Sequence, residues 1–197
     1  MNKPFAESCE ENKAPILEVL SALFADRRHV LEIGSGTGQH AVHFGKALPH
    51  LRWQTSERRE NHAGIQAWLD ESRLHNVSAP LALDVLQDSW PDTQFDAAYS
   101  ANTVHIMSWP MVEAMFAGLG KVLSPGALFA LYGPFHYGGR ATAESNVRFD
   151  QWLRSRDPLS GVRDFDDLDA LARAAGMECS DDVAMPANNR ILVWRKL

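Results

Sequence analysis

The sequence predicts an α/β fold: a mostly parallel seven-stranded sheet with helices on both faces, ending in a C-terminal antiparallel hairpin. Three observations predict it. Short apolar strands alternate with amphipathic helices through the first two thirds of the chain, which argues for a parallel sheet covered on both faces. A glycine-rich turn follows the first strand directly. Two strands then close the chain with only Met185-Pro186-Ala187-Asn188-Asn189 between them, too short a link for anything but an antiparallel pair.

The elements fall in order. Residues 15–25 read as a helix, with Pro15 in its first turn and Ile16, Leu20, Leu23 and Phe24 on one face. His29 to Ile33 is a short apolar strand, and a helix runs from about Gly38 to Ala47. Leu51 to Ser56 is a strand and Asn61 to Glu71 a helix. Leu81 to Asp84 and Phe95 to Ser100 are strands. Met111 to Val122 is a helix with Val112, Met115, Phe116 and Leu119 in phase. Ser124-Pro125-Gly126 turns into a strand from Ala127 to Tyr132. Residues 145–155 and 164–175 read as helices, the second ended by Gly176. The final strands are Met177 to Ala184 and Arg190 to Lys196. No repeat or linker divides the chain, so 1–197 reads as a single domain.

Composition narrows the classes. The chain has 197 residues and a formal net charge of −6, with both signs interspersed. No basic run is available to track a phosphate backbone, so nucleic acid is an unfavoured partner. Cys9 and Cys179 are the only cysteines, which gives neither a disulfide framework nor metal-ligand spacing, and no metal is expected. The opening residues MNKPFAESCEENK lack the basic start and apolar run of a signal peptide, and no apolar stretch is long enough to span a bilayer. A cytoplasmic protein without a membrane partner is the expectation.

The strongest local signal is Val30-Leu31-Glu32-Ile33-Gly34-Ser35-Gly36-Thr37-Gly38-Gln39-His40. Its glycines permit a sharp turn and close approach of a ligand, and the following helix offers free N–H groups. The spacing is G-x-G-x-G, not the G-x-G-x-x-G of the dinucleotide fingerprint. Glu32 stands two positions before the first glycine. A carboxylate there repels a pyrophosphate but suits the amino group of a methionine moiety. Glu57, at the end of the second strand, stands where a carboxylate meets ribose hydroxyls; its plainer reading is a solvated glutamate beside Arg58 and Arg59. Asp84 can accept from the exocyclic amine of adenine while the Val85 amide reads a ring nitrogen; its plainer reading is a turn or cap. Asn102 and His105 follow the fourth strand, at the carboxyl edge where open α/β sheets bind ligands.

Taken together these residues resemble class I S-adenosylmethionine-dependent methyltransferases, which are Rossmann-like. Glu10-Glu11-Asn12-Lys13-Ala14-Pro15-Ile16-Leu17, Gln39-His40, Trp53-Gln54-Thr55-Ser56-Glu57, Ala101-Asn102, Tyr132-Gly133-Pro134-Phe135, Ser145-Asn146-x-x-Phe149-Asp150 and Met185-Pro186-Ala187-Asn188-Asn189 are similar to the methyltransferase-like protein 26 family. The resemblance covers nearly the whole chain. It implies S-adenosylmethionine as cofactor, leaving S-adenosylhomocysteine. The implied contacts are Asn12, Glu32, Gly34, Ser35, Gly36, Gly38, Gln39, His40, Glu57, Asp84, Val85 and Asn102. Two positions depart: family members often carry Arg where Glu11 stands, and Pro-Ser-Asp where Thr55-Ser56-Glu57 stands.

On the acceptor side, residues 1–28 are expected to cover the cofactor and residues 133–165 to form a substrate-side lid and helix. The aromatic stretch Tyr132-Gly133-Pro134-Phe135-His136-Tyr137-Gly138-Gly139-Arg140 has the makeup of a mobile lid. His105, Tyr132 and His136 are the catalytic candidates, and the Asn188-Asn189 amides are candidates for orienting a polar substrate. The bland reading of Phe135 and Tyr132 is core packing. A small molecule is the first choice of acceptor and a protein side chain the second. Two competing classes are a non-catalytic S-adenosylmethionine-binding or interaction protein and a nicotinamide oxidoreductase. The glycine spacing, Glu32 and the terminal hairpin disfavour the oxidoreductase.

Overall fold

The structure, a computed structural model, describes residues 3–197; the first two residues of the 1–28 segment lie outside the described residues. In chain order the elements are α1 (Glu7–Leu23), β1 (His29–Ile33), α2 (Gln39–Ala47), β2 (Arg52–Glu57), α3 (His62–Ser72), β3 (Val77–Ala82), β4 (Phe95–Ala101) and α4 (Trp109–Val122). They continue with β5 (Leu123–Gly133), β6 (Phe135–Tyr137), β7 (Arg140–Ala141), α5 (Glu144–Arg156), β8 (Arg163–Asp164), α6 (Phe165–Ala174), β9 (Met177–Met185) and β10 (Asn189–Lys196). The main sheet has seven strands in the order β3-β2-β1-β4-β5-β10-β9. Strands β1 to β5 pair in parallel, and β10 runs antiparallel between β5 and β9. This is the α/β, Rossmann-like architecture that the alternating pattern predicts.

Neighbouring strand residues point to opposite faces, and each face has its own core. Leu31, Ala98, Phe129, Leu192 and Trp194 pack with α4 and α6 on one side. Val30, Trp53, Ala97, Tyr99 and Val193 pack with α1 and α2 on the other. Burial on both faces is what a parallel sheet requires. Within the second core Phe44, Trp53 and Tyr99 form an aromatic triangle with ring centroids 5.5–5.9 Å apart.

Four boundaries differ from expectation. Helix α1 begins at Glu7, so Pro15 lies inside it rather than in its first turn. The Gln39 amide holds Ala6 at the helix entry, and Glu7 and Glu10 suit the positive end of the helix dipole. Strand β3 starts at Val77, where it pairs with Trp53, and Asp84 falls beyond it; as an edge strand it tolerates Pro80. Strand β5 begins at Leu123, so Ser124-Pro125-Gly126 is absorbed into a strand whose register with β4 shifts there. The aromatic stretch expected as a mobile lid is instead part of a three-stranded sheet, β7-β6-β8, turned at Gly138 and Gly139 (φ 56° and 74°). Phe135 is fully buried in the core, and Tyr137 donates to Asp182. Among the described residues no helix is long and apolar enough to cross a membrane.

Candidate functional site

The glycine turn lies at the carboxyl ends of β1 and β2. The Ser35 N–H donates to the Ser56 carbonyl (3.0 Å), and the Gly38 N–H closes the turn on Ser35 (2.8 Å). The three glycines have different jobs. A Cβ on Gly34 would lie 2.9 Å from Thr103 Cγ2, and one on Gly38 would lie 3.1 Å from the Ile65 backbone. Both are packing constraints. A Cβ on Gly36 would meet nothing within 4 Å, so here the chain is left bare toward open space. The Gly36 N–H donates to Glu57 Oε2 (3.0 Å), while Glu57 Oε1 accepts from the Arg58 N–H (2.9 Å). Gly36 and Glu57, from different strand ends, thus meet.

Glu32 is buried against the turn. Its Oε2 accepts from Ser35 Oγ (2.9 Å) and Trp53 Nε1 (3.1 Å). Burial raises its pKa to about 7, with the nearby Glu57 charge acting in the same direction and the Trp53 and Ser35 bonds opposing. A folded pKa above the free value means that the folded state holds the extra proton between about pH 4.5 and 7. Stability from this group is therefore present at low pH and lost as pH rises through that window. Glu32→Gln should remove the dependence. Urea unfolding at pH 5 and pH 7.5 should show the variant gaining about 2–4 kcal/mol on the wild type at the higher pH. A constant difference between the two would refute the assignment.

Gln39 and His40 are committed to protein partners. Gln39 Oε1 accepts from the Ala6 N–H (2.6 Å) and Thr37 Oγ1 (3.0 Å), and its Nε2 donates to the Ala6 carbonyl (3.3 Å) and Glu10 Oε1 (3.0 Å). His40 Nε2 donates to Asn12 Oδ1 (2.7 Å), and burial lowers the His40 pKa to about 4, leaving it neutral. These bonds fasten α1 to the glycine turn. Asp84 sits in a turn: Oδ1 accepts from the Leu86 N–H (3.0 Å), its N–H donates to Asp88 Oδ2 (2.8 Å), and the Val85 side chain is buried in the core. The turn still lies beside Glu57, whose carbonyl accepts from the Leu83 N–H (3.0 Å).

Asn102 adopts φ 56°, a left-handed conformation that asparagine tolerates better than most residues, and its N–H donates to the Tyr132 carbonyl (2.9 Å). It borders a pocket of about 700 Å³. Asn12 and Pro15 come to this pocket from α1, His105 and Ile106 from the loop after β4, and Tyr132 from the end of β5. Asn146, Phe149 and Trp152 come from α5, and Asn189 from the terminal hairpin. His105 is buried beside the edge of the Phe149 ring (5.2 Å, 79°), and its Nδ1 has no hydrogen-bond partner among the described residues. Burial, aided by the Arg163 cation, lowers its pKa to about 4, so the imidazole is neutral. Burial raises the Tyr132 hydroxyl pKa, against hydrogen bonding from Asn12 and Asn189.

Four predicted residues, Asn12, Asn102, His105 and Tyr132, thus share one cavity. His136 does not line it; β6 pairings with Ala141 and Asp164 take it onto the small sheet. Asn188 turns to α5, donating to Ser145 Oγ (3.1 Å), so Asn189 alone of that pair reaches the pocket. Sequence reasoning missed the α5 wall. Its signal was present: 146, 149 and 152–153 recur at helical spacing on an otherwise charged helix. Among the described residues no group of three or more His, Cys, Asp or Glu side chains is placed to hold a metal ion.

The family described as "Protein of unknown function (DUF938)" matches residues 3–196. Among solved structures, the fold resembles the S-adenosylmethionine-dependent methyltransferase SibL in its apo form, with a TM-score of 0.80 and 20% identity over 95% of this chain and 55% of that one. It also resembles an O-methyltransferase family 2 protein from Planctomyces limnophilus DSM 3776 in complex with apigenin (TM-score 0.80, 14% identity, 94% and 56% covered). A third is PigF with SAH (TM-score 0.79, 15% identity, 93% and 55% covered). The chain spans a little over half the length of each. At these identities the likeness is one of fold, that of the Rossmann-like class I methyltransferases.

Proposed function

The chain belongs to the family described as protein of unknown function DUF938, and from that premise we propose that it transfers a methyl group from S-adenosylmethionine to a small-molecule acceptor. The observation that carries this reading is the bare Gly36 beside Glu57, set at the carboxyl edge of a sheet with the methyltransferase strand order. It fits a nucleoside ligand: backbone is exposed where no side chain intrudes, and a carboxylate stands ready for hydroxyl donors. The cofactor, when bound, supplies an electrophilic sulfonium methyl group and leaves as S-adenosylhomocysteine.

The chain's residues then divide the work. Glu57 accepts from the ribose hydroxyls. The turn at Asp84 and Val85 faces the adenine. Glu32, Gly34, Ser35, Gly38 and Asn102 shape the methionine end. Gln39 and His40 act through α1, holding Asn12 at the pocket wall. The aromatic walls exclude water and orient the acceptor, where positioning contributes most of the rate. His105, neutral and with an unpartnered Nδ1, can accept a hydrogen bond from a hydroxyl acceptor, and Tyr132 orients it. Segment 1–28 covers the cofactor and 133–165 walls the acceptor side, within one domain. The motif pattern supports kinship with the methyltransferase-like protein 26 group.

Calorimetric titration with S-adenosylmethionine, S-adenosylhomocysteine and NADH tests the proposal. Micromolar binding of the first two without NADH supports it; absence of both sinks it. Glu57→Ala should weaken S-adenosylhomocysteine binding by roughly 1–3 kcal/mol, the usual cost of leaving buried polar partners unpaired. An effect near zero would mean that the ribose is held elsewhere.

A further inference from the structure

Among the described residues, the lining of the 700 Å³ pocket carries one formally charged side chain, the exposed carboxylate of Glu11, and no Lys or Arg. The Glu11 charge also reaches the Tyr132 hydroxyl, whose ionisation it opposes. The α5 wall is aromatic: the Phe149 and Trp152 rings stack at 5.8 Å and 16°. Trp152 is half exposed, and the Arg156 guanidinium carbon sits 4.9 Å from its ring centroid, so this ring already accepts a cation. Arg156 itself is not part of the lining.

We propose that the pocket takes an acceptor bearing a cationic amine, held by the Glu11 carboxylate and the Phe149–Trp152 wall, and that it turns anionic acceptors away. The inference deepens the methyl-transfer reading and rests on it. The protonated amine is the handle and not the nucleophile, because it has no free electron pair; the atom methylated is a second, neutral group on the same molecule.

Three phenols that differ in the charge of the tail test it: tyramine (cation), 4-ethylphenol (neutral) and 4-hydroxyphenylacetate (anion). Each is titrated into the full chain with and without S-adenosylhomocysteine. Tyramine should bind roughly tenfold tighter than 4-ethylphenol, the combined effect of one cation–π contact and one partly screened ion pair, with the anion weakest. Glu11→Gln should narrow tyramine's advantage to the cation–π share, and Glu11→Lys should invert the order. Equal affinities, preference for the anion, an advantage unchanged by Glu11→Gln, or no binding of millimolar tyramine would overturn the inference. The same samples separate it from the methyl-transfer reading. S-adenosylhomocysteine binding with a flat order sinks only the charge preference. Its absence sinks the cofactor reading, while the ligand-free titrations still report the order.

Discussion

Gly36→Asp is expected to reduce S-adenosylmethionine affinity by roughly 100-fold or more, about 3 kcal/mol, and to push it beyond calorimetric detection. The new side chain would enter space that holds no protein atom within 4 Å, so it does not clash with the fold. It would occupy the space where the ligand approaches the chain. Its carboxylate would lie near Glu57, already bonded to the Gly36 N–H. The backbone cost is about 1–2 kcal/mol at most, since φ is 55° and aspartate is among the residues that tolerate the left-handed region. The variant should therefore remain folded. Gly34→Ala supplies the contrast: its methyl group would press on Thr103 at 2.9 Å, so it should lower the melting temperature. Wild-type affinity in Gly36→Asp would move the cofactor site away from this turn.

Trp53→Ala should cost about 3–5 kcal/mol of stability, the range for removing a large buried aromatic side chain. Trp53 is fully buried and packs against Phe44 and Tyr99 at 5.6 and 5.9 Å. Its Nε1–H also donates to Glu32 Oε2 at 3.1 Å, so the loss goes beyond volume. Without that donor the buried carboxylate keeps only Ser35 among its two partners. Trp53→Phe separates the two contributions. It keeps much of the ring and loses the donor, so it should cost less than the alanine variant and raise the Glu32 pKa further. Urea unfolding of both variants decides the matter. A loss below about 1 kcal/mol in the alanine variant would mean that the site collapses without a cavity, contrary to a rigidly packed core.

Much of this organisation is legible in the chain. The strand and helix order follows from periodicity, and the terminal hairpin follows from a connection too short for any other geometry. The glycine turn was legible as a turn, but the sequence did not distinguish Gly34 and Gly38, which yield to Thr103 and Ile65, from Gly36, which faces open space. That difference depends on neighbours distant in the sequence. Gln39 and His40 stood in the ligand motif by position, yet their bonds run to Ala6, Glu10 and Asn12. The start of α1 was hidden because Pro15 fits a first turn as well by local rules. The residues of the α5 wall are visible in the sequence but their partner is not, and only the fold brings Phe149 against His105.

The insertion of β10 between β5 and β9 has a consequence for how the protein is made. Residues emerge from the ribosome in order, and β5 is finished long before β10 exists. Until residues 189–196 are free of the exit tunnel, β5 presents an open hydrogen-bonding edge, and the buried run Ile191-Leu192-Val193-Trp194 is missing from both cores. Tyr132 and Asn189, on opposite sides of that seam, cannot meet at the pocket earlier. Closure of the pocket therefore waits on residues 189–196, and a nascent chain short of them carries an open sheet edge and two incomplete cores.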